Sequence, residues 1–180
     1  MRRIYFDTEF YEDGNTIELI SIGMVMEQEG KVKTFYAETL QSEFLAKQTP
    51  FLEENLLPGL KGGEYVKSND DLANSIIKFV NPNPKFDDRS IEFWAYYASY
   101  DWVALCQIFG TMMDLPVGWP QYCHDLRQTL DHGMLQSIKQ HDTFLAHNAL
   151  NDAMWNYETH KMLRTLTNGA FRTYDGGRIR

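Results

Sequence analysis

Asp7 and Glu9 stand two residues apart in a β-forming run, Arg3 to Phe10. Side chains alternate along a strand, so both carboxylates face the same side of a sheet. Their neighbours Ile4, Tyr5, Phe6 and Phe10 are apolar, and two adjacent, partly buried acids are costly unless a cation neutralises them or they share a proton. Hard oxygen ligands without cysteine suit Mg²⁺ or Mn²⁺. Taken alone, such a pair is more often two exposed acids on an edge strand. A third acid, Asp101, follows the strand-like Ile91 to Ala98 where the chain turns into a helix. Ligands collect at the carboxyl ends of such strands, although an acid at a helix start is commonly there for the helix dipole. His147 and Asp152 are five apart and would fall on different faces of one helix. His147 therefore belongs on the loop before the helix and Asp152 in its first turn, which sets an imidazole beside the metal cleft rather than among its ligands. His124, His132, His141 and His160 read as structural.

The elements that must position these groups follow from the patterning. Arg3 to Phe10, Ile17 to Met26 and Val32 to Thr39 predict three antiparallel strands, joined by turn chemistry at Glu12-Asp13-Gly14-Asn15 and Gln28-Glu29-Gly30-Lys31. Residues 41 to 63 read as irregular with short helical pieces. Ser68 caps a helix to about Phe79, with Leu72, Ile76, Phe79 and Val80 on one face. Helices are expected over Asp101 to Phe109, from Asp125 to Gly133, and from Asn148 or Asn151 to Leu166, stopped by Asn168-Gly169. A short strand is expected near Tyr122-Cys123-His124. This order resembles a ribonuclease H-like α/β fold: a mixed five-stranded sheet, three antiparallel strands and then alternating helix and strand, flanked by helices.

Composition bounds the rest. The chain has 180 residues, 43% hydrophobic and 23% charged, with 11 Phe, 10 Tyr and 4 Trp, which fits one folded domain over residues 1–180 and excludes a disordered or collagen-like chain. The longest apolar run, Ile17 to Met26, is interrupted by Glu18, Ser21 and Gly23 and is too short to span a bilayer. The N-terminus enters a strand at once, without an export signal. Two cysteines, Cys106 and Cys123, support neither a disulfide framework nor a thiolate zinc site. A reduced, cytoplasmic protein is expected. A net charge of −8 argues against coating of duplex nucleic acid. The segment 168–180 reads as a basic tail, Arg172, Arg178 and Arg180 facing a single acid, Asp175.

Asp7-Thr8-Glu9, the later Asp101, and His147-x-Ala149-x-x-Asp152 together resemble the DEDDh group of 3′-5′ exonucleases. The likeness spans nearly the whole chain. The opening from Asp7 to Met24 is most similar to the small exoribonucleases called RNase AS. The middle stretch, Tyr97-Ala98-Ser99-Tyr100-Asp101, departs from relatives that carry Asn before the aspartate.

The resemblance implies a metal-dependent 3′-5′ exoribonuclease that hydrolyses single-stranded RNA from its 3′ end to nucleoside 5′-monophosphates, with adenylate preferred. It implies that Asp7, Glu9, Asp101 and Asp152 hold two Mg²⁺ or Mn²⁺ ions, Asp7 bridging both. His147 would take the proton from the attacking water. Thr8, through its backbone, and Phe10 would line the 3′-terminal nucleoside. Glu18, at the start of the strand beside Glu9, would accept from the adenine amino group. A homodimer is implied, with Phe171 to Arg180 reaching into the partner's cleft. Two alternatives stay open: a single-strand exodeoxyribonuclease with the same metals, distinguished by the ribose 2′-hydroxyl, and an inactive nucleic-acid-binding module on the same fold. Trp94, Tyr97, Tyr100 and Trp102 bracket Asp101 and read mostly as core.

Overall fold

In the computed structural model, which describes residues 2–81, 91–130 and 147–166, strand β1 (Arg2–Glu12) runs antiparallel to β2 (Ile17–Gln28), and β2 to β3 (Lys31–Thr39). The first turn is an Asx turn: Asp13 Oδ1 accepts from the backbone N–H groups of Asn15 and Thr16, each at 2.8 Å. In the second, Glu29 and Gly30 both have positive φ (53° and 75°), the backbone that suits a tight two-residue hairpin. Two short helices follow, α1 (Ser42–Leu45) and α2 (Pro50–Asn55). Then come β4 (Val66–Lys67), parallel to β3, and α3 (Asn69–Val80), which Ser68 caps by accepting from the Asp71 N–H. Strand β5 (Ile91–Ala95) lies parallel to β1 and leads into α4 (Ser99–Gln107). Strand β6 (His124–Asp125), parallel to β5, precedes α5 (Leu126–Leu130), and α6 (Ala149–Leu166) is the last helix among the described residues.

The sheet order is β4-β3-β2-β1-β5-β6. This is the mixed α/β architecture expected, with six strands among the described residues rather than five, because β4 is only two residues long and too short to announce itself by alternation. Strand β5 stops at Ala95 instead of Ala98. Tyr97 takes a left-handed backbone (φ 56°), and its N–H is held by Asp125 Oδ1 at 3.2 Å, so the chain turns early into α4. The short strand begins at His124 rather than Tyr122. The helix end at Gly133, the stop at Asn168-Gly169, the basic tail, His132 and His141 lie outside the described residues.

Alternation along β1 divides the interior in two. Ile4 and Phe6 join Ile22, Met24 and Phe93 under α3 and α4, where Leu72, Ile76, Trp102 and Leu105 close the packing. Tyr5 points the other way, to Val25, Trp94, Leu126, Ala153 and Tyr157 beneath α6. Asp7 and Glu9 share the face of Tyr5. A third cluster, Ile20 with Leu45, Leu52 and Leu56, seats α1 and α2 at the end of that face.

One glycine decides how closely α6 can approach. Gly23 lies opposite Asp7 across the β1–β2 ladder, and a Cβ there would collide with the Ala149 carbonyl and the Leu150 nitrogen. A glycine inside a strand often marks such a close backbone approach. The first turn of α6 therefore rests directly on the sheet beside Asp7.

Candidate active site

Three elements deliver the acids. Strand β1 carries Asp7 and Glu9, the first turn of α4 carries Asp101, and the first turn of α6 carries Asp152. Asp7, Glu9 and Asp152 each offer a carboxylate oxygen within 4.8 Å of the other two, and all three remain partly exposed to the cleft. Asp101 lies outside that trio, yet its charge is the strongest of those acting on Asp7. It is 7% exposed, and its Oδ1 accepts from both the N–H of Thr8 at 2.8 Å and the Thr8 hydroxyl at 2.6 Å.

The acids repel one another strongly. Burial, then the charges of Asp101, Glu9 and Asp152, hold the Asp7 carboxyl well above the usual carboxylate range. Burial, then Asp152 and Asp101, push Glu9 up to about 8. Asp101 is raised to about 6, chiefly by burial, with the two Thr8 hydrogen bonds pulling against that rise. Partly buried carboxylates crowded in this way favour either a shared proton or a cation. The donors are all hard oxygens, so the residues fit a divalent ion such as Mg²⁺ or Mn²⁺.

The start of α6 is built by Asn148. Its side-chain oxygen accepts from the Asn151 N–H at 3.2 Å, and its own N–H donates to Asp152 Oδ2 at 3.2 Å. That reciprocal pair is the logic of a capping box, and it aims Asp152 while starting the helix. His147 stands on the residue before, in a left-handed conformation (φ 65°), on the loop where the spacing placed it. Its ring meets Phe51 of α2 edge to face at 5.1 Å.

The remaining candidates are dispersed. Phe10 stacks on Tyr100 with ring centroids 5.8 Å apart. Glu18 lies at the start of β2, the strand that pairs with β1 beside Glu9, as expected; the ladder shifts after Glu9, which pairs with Ser21, while Phe10 pairs with Leu19 and Glu18 with Tyr11. The bulge adds Ile20 to β2, and the exposed Glu18 lines a cavity of about 670 Å³ with Ile17, Gln41, Asn69 and Gln107. Trp94 and Trp102 are core, whereas Tyr97 and Tyr100 are exposed. Two contributors went unread in the sequence. Asn156, one turn beyond Asp152, donates to the Phe6 carbonyl at 3.0 Å, and Gly23 admits α6; of these only the mid-strand glycine carried a signal.

Residues 2–164 match the family model described as the 3′-5′ exoribonuclease Rv2179c-like domain. Two curated relatives, 3′-5′ exoribonuclease Rv2179c of Mycobacterium tuberculosis (strain ATCC 25618 / H37Rv) and 3′-5′ exoribonuclease MT2234.1 of M. tuberculosis (strain CDC 1551 / Oshkosh), are each 36% identical over 129 residues, 70% of this chain and 72% of theirs. With the acids of three elements gathered at one cleft and the match running through all of them, the chain belongs to the Rv2179c-like 3′-5′ exoribonuclease domain family.

Proposed function

We propose that the protein removes nucleotides one at a time from the 3′ end of single-stranded RNA, releasing nucleoside 5′-monophosphates. The observation that carries this reading is the meeting of Asp7, Glu9 and Asp152 within 4.8 Å, with Asp101 electrostatically joined to them. The family match and the relatives' names support it. Asp7, Glu9, Asp101 and Asp152 would hold two divalent cations, Mg²⁺ or Mn²⁺. When bound, such cations neutralise the carboxylates and polarise the scissile phosphodiester for in-line attack by water.

The chain's own groups do the rest. His147 accepts the proton of the attacking water from its place at the head of α6. Phe10 offers an aromatic face to the 3′-terminal base. Glu18 accepts from the adenine amino group and favours adenylate; this part of the reading is dropped if Glu18→Ala leaves the preference among the four bases unchanged. The active form is a homodimer in the cytoplasm.

Digestion of 5′-labelled oligo(A) RNA and oligo(dA) DNA with Mg²⁺, beside Asp7→Asn and an EDTA control, tests the proposal. Stepwise shortening of the RNA alone, abolished in both controls, is expected. Equal or faster loss of the DNA would reassign the protein as a single-strand exodeoxyribonuclease. No digestion of either would leave a nucleic-acid-binding module.

A further inference from the structure

We infer that Thr8 is a positioning residue for Asp101, and that its hydroxyl sets the affinity of the site for divalent cations. The inference rests on the divalent-cation reading above.

Asp101 has reason to leave, since burial and the charge of Asp125 act against its carboxylate. It comes from α4, on the far side of the sheet from α6, and like charges on Asp7 and Glu9 face it. A carboxylate turns readily about its side-chain torsions. What stops the turn is Thr8, which points away from Asp7 and Glu9 by strand alternation and is 5% exposed. Its N–H and its hydroxyl converge on the same oxygen, Oδ1, at 2.8 and 2.6 Å. The shorter of these lies in the range of charge-assisted O–H···O⁻ bonds. Two donors on one oxygen fix the plane of the carboxyl group as well as its distance. Thr8 is also the residue between Asp7 and Glu9, so whatever places those two acids places the clamp on the third. Groups that orient metal ligands in this way are typically worth about 10- to 100-fold in metal affinity.

The test is direct Mn²⁺ binding by calorimetry or electron paramagnetic resonance, on wild type, Thr8→Val, Thr8→Ala and Thr8→Ser. Val and Ala keep the backbone donor and lose the hydroxyl; Ser restores it. A dissociation constant raised about 10- to 100-fold in Val and Ala, near wild type in Ser, with turnover recovered at saturating Mn²⁺, is the expected result. Wild-type affinity in a folded Val or Ala variant would overturn the inference. Failure of both to fold would overturn it too, since Thr8 would then be holding α4 to the sheet and nothing finer. Absence of Mn²⁺ binding by wild type itself would instead remove the cation reading on which it stands.

Discussion

The side-chain amide of Asn156 donates to the main-chain carbonyl of Phe6 at 3.0 Å, so α6 is bolted to β1 one residue before Asp7 and one helical turn after Asp152. The pair is fully inside the protein, Asn156 being 1% exposed. Removing one partner of a buried hydrogen bond costs about 1–3 kcal/mol. Asn156→Ala should therefore lower the melting temperature by roughly 2–12 °C and lower exonuclease activity further than stability alone explains. Thermal melts beside turnover at a temperature where the variant is folded check this; unchanged turnover would show that Asp152 does not depend on the bolt.

Gly23→Ala should be more damaging than a single methyl suggests. The new Cβ meets main chain at Ala149 and Leu150, which cannot swing aside as a flexible side chain would. Forced overpacking costs typically about 1–3 kcal/mol, and here it lifts the turn that carries Asp152. Weaker Mn²⁺ binding together with lower stability is expected, and a variant that binds Mn²⁺ like wild type would refute the geometry.

His147→Ala should lower turnover by about 10²- to 10⁴-fold while Mn²⁺ binding survives. Equal turnover in the variant would sink the general-base role. Loss of Mn²⁺ binding would instead place the imidazole among the ligands.

In the absence of cations the acidic cleft should make the protein less stable as pH rises. Glu9 titrates near 8 when folded against about 4.5 when unfolded, and Asp7 and Asp101 are raised as well. Each group is protonated in the native state through a window where the unfolded chain has released its proton; the contribution of Glu9 is fully present below about pH 4.5 and is lost as pH climbs through about 8, and that of Asp101 is lost as pH climbs through about 6. Melting temperatures of EDTA-treated protein from pH 5.5 to 8.5 should fall, and added Mg²⁺ should raise them most at the alkaline end. A flat profile would mean the acids are not crowded.

His160 works in the opposite direction. Burial, then the cations of Arg164 and Arg3, hold its pKa down at about 3, and its Nδ1 lies 3.0 Å from the Tyr5 hydroxyl while its ring packs on Trp94. It is neutral in the folded protein and cationic in the unfolded chain below about pH 6.5. Stability is then lost as pH falls from 6.5 toward 3, with a slope of at most about 1.4 kcal/mol per pH unit. Urea unfolding between pH 4 and 7 should show this limb in wild type and a flatter one in His160→Gln; identical slopes would exclude the imidazole as its source.

The parts of the site legible in the sequence were those governed by local periodicity. Two-residue alternation put Asp7 and Glu9 on one face, and helical spacing put His147 before α6 and Asp152 in its first turn. The illegible parts depend on contacts far apart in the chain. Tyr97 ends β5 early because Asp125, 28 residues on, holds its N–H. Glu18 faces Tyr11 rather than Glu12 because a bulge at Ile20 shifts the ladder after Glu9. The Thr8 hydroxyl chooses Asp101, 93 residues away, and no pattern around Thr8 announces it.

On its other face, β1 meets α4 residue by residue: Phe6 packs edge-on against Trp102, Thr8 binds Asp101, and Phe10 stacks on Tyr100. Odd-numbered Asp7 and Glu9 turn to the face beneath α6, and even-numbered Phe6, Thr8 and Phe10 turn to α4. Changing the strand's length by a single residue ahead of Asp7 would exchange the two rows at a stroke, turning the acids into the core and the rings into the cleft. A change of length is absorbed most readily in the exposed turn at Asp13 to Thr16, outside the paired stretch.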